Sequence, residues 1–209
     1  MTKTIVPPIK SQGIKTKLVP WINDIIRRSG LDLGKTNWIE PFFGTGVVGL
    51  NAPVGGHRYI ADSNPHIINF YNAVLSGDIT PENMRSYLEN EGKMLLEADE
   101  DGYAHYRMVR DRFNREHSSF DFIFLSRAGF NGMMRFNRRG EWNIPFCKKP
   151  NRFAPAYITK ICNQISAAQR TIHLGKWEFH NQGFVETIVR AKTGDLIYCD
   201  PPYYGRYVD

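Results

Sequence analysis

Hydrophobic and polar positions along the chain fall into two kinds of pattern, short apolar runs that end on an acid and longer stretches with helical spacing. Leu196-Ile197-Tyr198-Cys199 follows Asp195 as a continuous apolar run, the signature of a buried parallel strand, and stops at Asp200-Pro201-Pro202-Tyr203. Neither proline can donate to a ladder, and each holds its predecessor extended, so the strand ends abruptly with Asp200 at its carboxyl end. Trp38-Ile39-Glu40 predicts a second strand, Arg58 to Asp62 a third, and Lys176 to His180 a fourth. Helical spacing predicts an amphipathic segment within residues 9–28, with Leu18, Trp21, Ile22, Ile25 and Ile26 on one face. A crossover helix over 65–75 starts at Pro65 and is closed by Gly77. Thr80-Pro81-Glu82 opens a charged stretch reaching about residue 117, which reads as two helices broken near residues 99–102, with Tyr103, Tyr106 and Phe113 in their core. A helix over 154–170 turns Tyr157, Ile158, Ile161, Ile165 and Ala168 inward, and a short one covers 183–188.

Strands that alternate with helices indicate an α/β fold with a parallel sheet. The stretch before residue 154 is poor sheet material and reads as an insertion. The expected organisation is therefore 1–76 as the first part of the catalytic, cofactor-binding unit, 77–153 as an inserted subdomain of helices and a β-hairpin, and 154–209 as the return to the sheet. A chain of 209 residues can bury a full core but cannot hold two enzymes. Its formal charge of +6 leans toward a polyanionic partner. Three cysteines without CxxC spacing support neither a disulfide framework nor a zinc knuckle, and fit a reduced cytoplasmic setting. The six histidines have neither triad nor metal-ligand spacing, and no run suits a membrane span or secretory leader.

The acid and prolines at the end of the chain suit one task, holding a planar heterocycle that bears an amine. An exocyclic amine on an aromatic ring is a poor nucleophile because its lone pair is delocalised. If the Asp200 carboxylate and the Pro201 carbonyl each accept one of its N–H groups, the nitrogen moves toward tetrahedral geometry and its lone pair is freed. Tyr203 would stack on the ring. Upstream, Gly44-Thr45-Gly46-Val47-Val48-Gly49 follows a strand, and about twenty residues on Asp62 ends another, an acid able to take the hydroxyls of a ribose. The glycines alone do not separate a nicotinamide site from another adenosine-containing cofactor. Gly13 and Lys15 could bring amides and an ammonium to a small anion. From Arg127 to Phe146, basic residues are interleaved with aromatic and amide groups around a turn at Arg138-Arg139-Gly140, which suits a hairpin that reads duplex DNA.

Together these blocks resemble the Dam-like, D12 class of DNA adenine N6-methyltransferases, in the family's order through almost the whole chain. Gln12-Gly13-Ile14-Lys15 is similar to the N-terminal glycine-lysine motif, Glu40-Pro41-Phe42-Phe43-Gly44-Thr45-Gly46 to the cofactor loop, and Ala61-Asp62-Ser63-Asn64 to the ribose-binding acid. Many members carry Trp where Ser11 stands and Gly where Ile14 stands. The resemblance implies a Rossmann-like sheet that uses S-adenosyl-L-methionine as cofactor, held by Ser11, Lys15, Glu40, Phe43, Gly44, Thr45, Gly46 and Asp62, with Asp200 facing both cofactor and base. Asp200, Pro201, Pro202 and Tyr203 would form the catalytic tetrapeptide, with no metal. Arg127, Phe130, Asn131, Gly132, Arg135, Asn137 and Arg138 would contact double-stranded DNA, Arg127 and Arg138 at phosphates, and the target adenine would be flipped into the pocket. Because relatives continue past the tetrapeptide, the C-terminal part of the sheet is expected to be missing here. That implies a truncated or split form, with a complementing polypeptide or a restriction enzyme as further partners. The expected activity is site-specific methyl transfer to adenine N6. Its alternatives are a catalytically incomplete module that binds DNA and cofactor, and a methyltransferase acting on another planar amine, in RNA or a protein amide.

Overall fold

The computed structural model describes residues 3–98 and 102–202. Its described strands form one parallel sheet in the order β3-β2-β1-β4, with β1 at Trp38–Glu40, β2 at His57–Asp62, β3 at Lys176–Asn181 and β4 at Leu196–Ile197. β1 sets Trp38 opposite both Arg58 and Leu196, and Ile39 opposite both Tyr59 and Ile197. From β1 the sheet grows outward through β2 and β3 and then returns to β4 on the other flank of β1, so its order reverses between β1 and β4. In an open α/β sheet, the carboxyl ends of the strands at that reversal bound a crevice.

The helices are α1 (Val19–Arg27), α2 (Pro65–Ser76), α3 (Pro81–Glu97), α4 (Tyr103–Glu116), α5 (Ser119–Ala128), α6 (Pro155–Leu174) and α7 (Phe184–Ile188). Local chemistry sets several of their ends. Asn64 caps α2, whose first residue is Pro65, and Gly77 ends it in the left-handed region at φ 87°. Thr80 and Asn83 form a reciprocal capping box at the start of α3. α2 and α6 lie on the sheet, α3 packs on α6, and α4 and α5 pack together beside them around a single apolar core. No helix among the described residues is long and apolar enough to cross a membrane.

Several expectations need correcting. The buried stripe of α1 is Val19, Ile22 and Ile26, so Leu18, Trp21 and Ile25, one position out of phase, face outward. Tyr103 and Tyr157 are exposed at the starts of their helices, whereas Tyr106 and Phe113 are fully buried. β4 is not a buried strand: β1 is its one described neighbour, and Ile197 is exposed. α5 had no counterpart in the sequence reading. The hairpin turns at Gly140, with the Gly140 N–H donating to the Asn137 carbonyl at 2.9 Å, but its arms meet only at two isolated bridges, Gly129 with Phe146 and Phe136 with Trp142. Trp142 anchors it to α4, donating to the Tyr106 hydroxyl at 3.1 Å.

Candidate active site

The loop after β1 is shaped by what lies beneath it. Gly44 and Gly46 have φ of 53° and 85°, a region that L side chains rarely adopt. A side chain at Gly46 would also run into the Phe43 ring, whose nearest atom would lie 2.5 Å from the added carbon. That ring is buried against Tyr71 and Phe179. Phe43 thus supports the loop from below, with its ring packed into the core. Tyr71 pins the loop by donating to the Thr45 carbonyl at 2.6 Å. At the end of β2, Asp62 closes the other side: its carboxylate accepts the Gly44 N–H at 2.7 Å and the Asn64 N–H at 2.8 Å. Burial raises the Asp62 carboxyl, and these two hydrogen bonds oppose the rise.

Glu40, at the end of β1, is enclosed by Trp38 and Gly49. It is 1% exposed and accepts the Trp38 indole N–H at 2.8 Å. Gly49 makes room for it, because an added carbon there would sit 2.4 Å from the Glu40 carboxyl. Burial pushes the Glu40 carboxyl up to about 8 against the Trp38 hydrogen bond, with the charges of Asp200 and Asp62 adding to the rise. Between its ordinary value of 4.5 and about 8, the folded chain therefore holds a proton that the unfolded chain has released. Stability from this group is full below the lower value and declines as pH rises through the window. Glu40→Gln is expected to flatten that decline, so that the variant matches the parent near pH 4 and melts at a higher temperature than the parent near pH 8. Thermal unfolding followed across pH measures this directly.

Asp200 follows β4 just past its register with β1, where the Tyr198 ring stacks on Trp38 with centroids 5.7 Å apart. Its carboxylate pairs with the Lys15 ammonium at 2.8 Å. Lys15 comes from the N-terminal segment, whose Gly13 has φ 75° and whose Ser11 hydroxyl donates to the Gln12 carbonyl. One partner of Lys15 is thus the acid of the tetrapeptide itself, a pairing for which the sequence carries no signal. Pro201 and Pro202 are exposed beside it, and Tyr203 lies outside the described residues. Asp200 and the Gly44–Gly46 loop follow adjacent parallel strands, and the Asp200 carboxylate is of the kind that can hold a polar planar group. The loop's open main chain, with nothing within 4 Å of a carbon added at Gly44, and the acid at the end of β2 fit an adenosine-type cofactor with a ribose diol.

The residues expected to meet DNA divide. Phe130 is exposed, and Asn131 and Gly132 follow it with positive φ. Arg135 is exposed, with one contact to the Asn143 carbonyl at 3.3 Å, and Arg138 is exposed at the turn. Asn137 is committed to the turn, accepting the Arg139 and Glu141 N–H groups at 2.9 and 3.0 Å and donating to the Glu141 carboxylate. Arg127 is half-buried and does not stand free on the surface. Its guanidinium is held by the Pro8 carbonyl and by Gln164 at 2.6 Å, and burial pushes it down to about 10, helped by the charge of Arg152. Missed entirely was the cavity of about 860 Å³ that Arg127 lines together with Lys10, Lys148, Lys149, Arg152 and Lys160, with no acid among the described residues around it. Lys148-Lys149 in the sequence was its available signal.

Residues 11–208 match the model of the family described as D12 class N6 adenine-specific DNA methyltransferase. The chain is 32% identical over 203 residues to a DNA adenine methylase of Haemophilus influenzae, covering 94% of this chain and 63% of that protein. It is 32% identical over 170 residues to a DNA adenine methylase of Vibrio cholerae and 30% identical over 172 residues to one of Escherichia coli, in each case covering 79% of this chain and 55% of the relative. The chain thus spans between half and two thirds of the length of these relatives.

Proposed function

The chain belongs to the D12 class of N6 adenine-specific DNA methyltransferases, and from that premise we propose that it transfers a methyl group from S-adenosyl-L-methionine to N6 of an adenine flipped out of duplex DNA. The observation that carries the reading is the pairing of Asp200, held by Lys15, with the Gly44–Gly46 bend at the carboxyl ends of two adjacent parallel strands. S-adenosylmethionine supplies an electrophilic methyl on a sulfonium when bound. Asp62 takes the ribose hydroxyls, and the loop's main chain accommodates the rest of the nucleoside. Asp200 accepts one N–H of the adenine amine and the Pro201 carbonyl accepts the other, which frees the nitrogen lone pair. The ion pair to Lys15 fixes the direction in which the carboxylate points. Asp200 also takes the proton that the nitrogen sheds after transfer. Residues 77–153 act as the recognition subdomain, with Arg135 reading a base edge and Phe130 entering the stack.

The basic cavity beside the hairpin supports a polyanionic substrate. Burial lowers the Lys10 ammonium, and the charges of Arg152 and Arg127 lower it further, as expected where cations are gathered together. Replacing the exposed Lys148 and Lys149 by alanine is expected to weaken duplex binding about equally for all sequences and to reduce the slope of log K against log salt by roughly 2. Titrations at several salt concentrations read this out. The reading as a whole is tested by offering cofactor labelled in its methyl group to duplex DNA, RNA and protein together. Label in DNA is expected, and label confined to RNA or to protein amides would overturn it.

A further inference from the structure

The acid that faces the cofactor site is set by the residue two places after it. Asn64 donates its backbone N–H to Asp62 at 2.8 Å, and its side-chain oxygen caps α2 by accepting the His66 N–H at 3.0 Å. The remaining group of that side chain, the amide NH2, donates to the Met134 sulfur at 3.4 Å. Met134 belongs to the hairpin. Two residues further along both segments the contact is repeated, with the His66 ring lying over Phe136, centroids 4.9 Å apart and planes 24° from parallel. Burial, with the charge of His117 adding to it, pushes the His66 imidazole down to about 4, so at neutral pH this is a contact between uncharged rings. Arg135 stands between the two gripping residues. In extended chain, neighbours i and i+2 share a face and the residue between them points the other way. One side of this short segment therefore holds the start of α2 while the other presents the arginine outward.

We infer that Asn64 is a positioning residue that couples DNA held at the hairpin to the set of the Asp62 carboxylate, and thereby to cofactor affinity. The inference rests on the reading of the cleft given above. Closely packed side chains pass on displacement and do not absorb it. A shift of the Met134–Phe136 segment on binding DNA therefore moves the capping residue of α2, and with it the N–H that orients Asp62. Linkage requires the effect to be mutual: whatever factor DNA adds to cofactor affinity, cofactor adds to DNA affinity.

The test uses S-adenosylhomocysteine, which binds without reacting, and compares its dissociation constant by calorimetry in the absence and presence of unmethylated genomic duplex fragments. In the parent protein DNA is expected to tighten binding by roughly fivefold or more. Asn64→Ser keeps an oxygen that can cap α2 but is too short to reach Met134, and Met134→Leu keeps the volume without the sulfur acceptor. Both are expected to bring the ratio below about twofold, and Met134→Leu to do so while leaving affinity without DNA unchanged. Variants that keep the parental ratio would overturn the inference, and so would a parent that binds both ligands with no ratio to lose. An equal fall in affinity with and without DNA would do the same, since that is the mark of a merely structural cap. A parent that does not bind S-adenosylhomocysteine at all would overturn the methyl-transfer reading itself, and the inference with it.

Discussion

Asp200→Ala is expected to lower methyl transfer by roughly 10²- to 10³-fold in kcat while leaving the fold intact, because in the proposed mechanism it removes an acceptor that acts on the reacting nitrogen. The two parts of this expectation follow from different observations. Asp200 makes an ion pair with Lys15 in which both side chains keep part of their surface in water, 21% and 28%. Pairs of that kind contribute about 0.2–1 kcal/mol, a small fraction of the 5–15 kcal/mol that holds a typical domain together. Its removal should scarcely move the melting temperature. The amine, by contrast, loses one of the two groups that draw its lone pair out of the ring. Asp200→Asn sharpens the test, because the amide keeps the size of the carboxylate but can turn an N–H toward the N–H it should accept. Single-turnover methyl transfer together with thermal unfolding of both variants separates chemistry from stability. Unfolding at a much lower temperature, with activity lost in proportion, would mean that the residue is structural.

Asp121→Ala is expected to have the opposite profile, a loss of about 3 kcal/mol of stability or more that comes from the helices and not from the cleft. Asp121 in α5 is 1% exposed and accepts from the Tyr87 hydroxyl in α3 and twice from Arg112 in α4, at 2.6 and 2.9 Å. Arg112 also donates to Glu91 at 3.0 Å, and Glu91 meets His105 at 2.6 Å. Burial would raise the Glu91 carboxyl, but the hydrogen bonds from His105 and Arg112 outweigh it and hold it below the usual range. Removing Asp121 leaves a guanidinium and a phenol without their shared acceptor. Arg112 retains some access to water, which keeps the cost near the lower end of the range for a broken buried pair. Chemical denaturation gives the number, and a change under about 1 kcal/mol would contradict the network's role.

The parts of the site that could be read from the sequence are those whose chemistry is local. An apolar strand ending at Asp200-Pro201-Pro202 and a glycine bend after Trp38-Ile39-Glu40 each state their own geometry. Parallel pairing of β1 with β4 then brings the two together. What escaped depends on contacts between distant segments. Nothing near Lys15 announces Asp200 as its partner. Arg127 and Asn137 have the composition of DNA contacts, yet one is tied to Pro8 and Gln164 and the other to its own turn. Glu40 looks like a ligand until Gly49 and Trp38 enclose it. α5 gave no helical signal because Phe122, Ile123, Phe124 and Leu125 are all buried, and a helix covered on every side lacks the periodicity by which helices are found. The outward stripe of α1 is the reverse case, with two overlapping apolar stripes of which the structure buries one.

The central claim is that the cleft between the ends of β1 and β4 methylates the exocyclic amine of adenine. Identifying the nucleoside that carries the label, after incubation with duplex DNA and methyl-labelled S-adenosylmethionine followed by complete digestion, tests this most directly. The account predicts N6-methyldeoxyadenosine, formed by the parent and not by Asp200→Ala. Label on a cytosine, or N6-methyldeoxyadenosine formed equally well by the alanine variant, would contradict it.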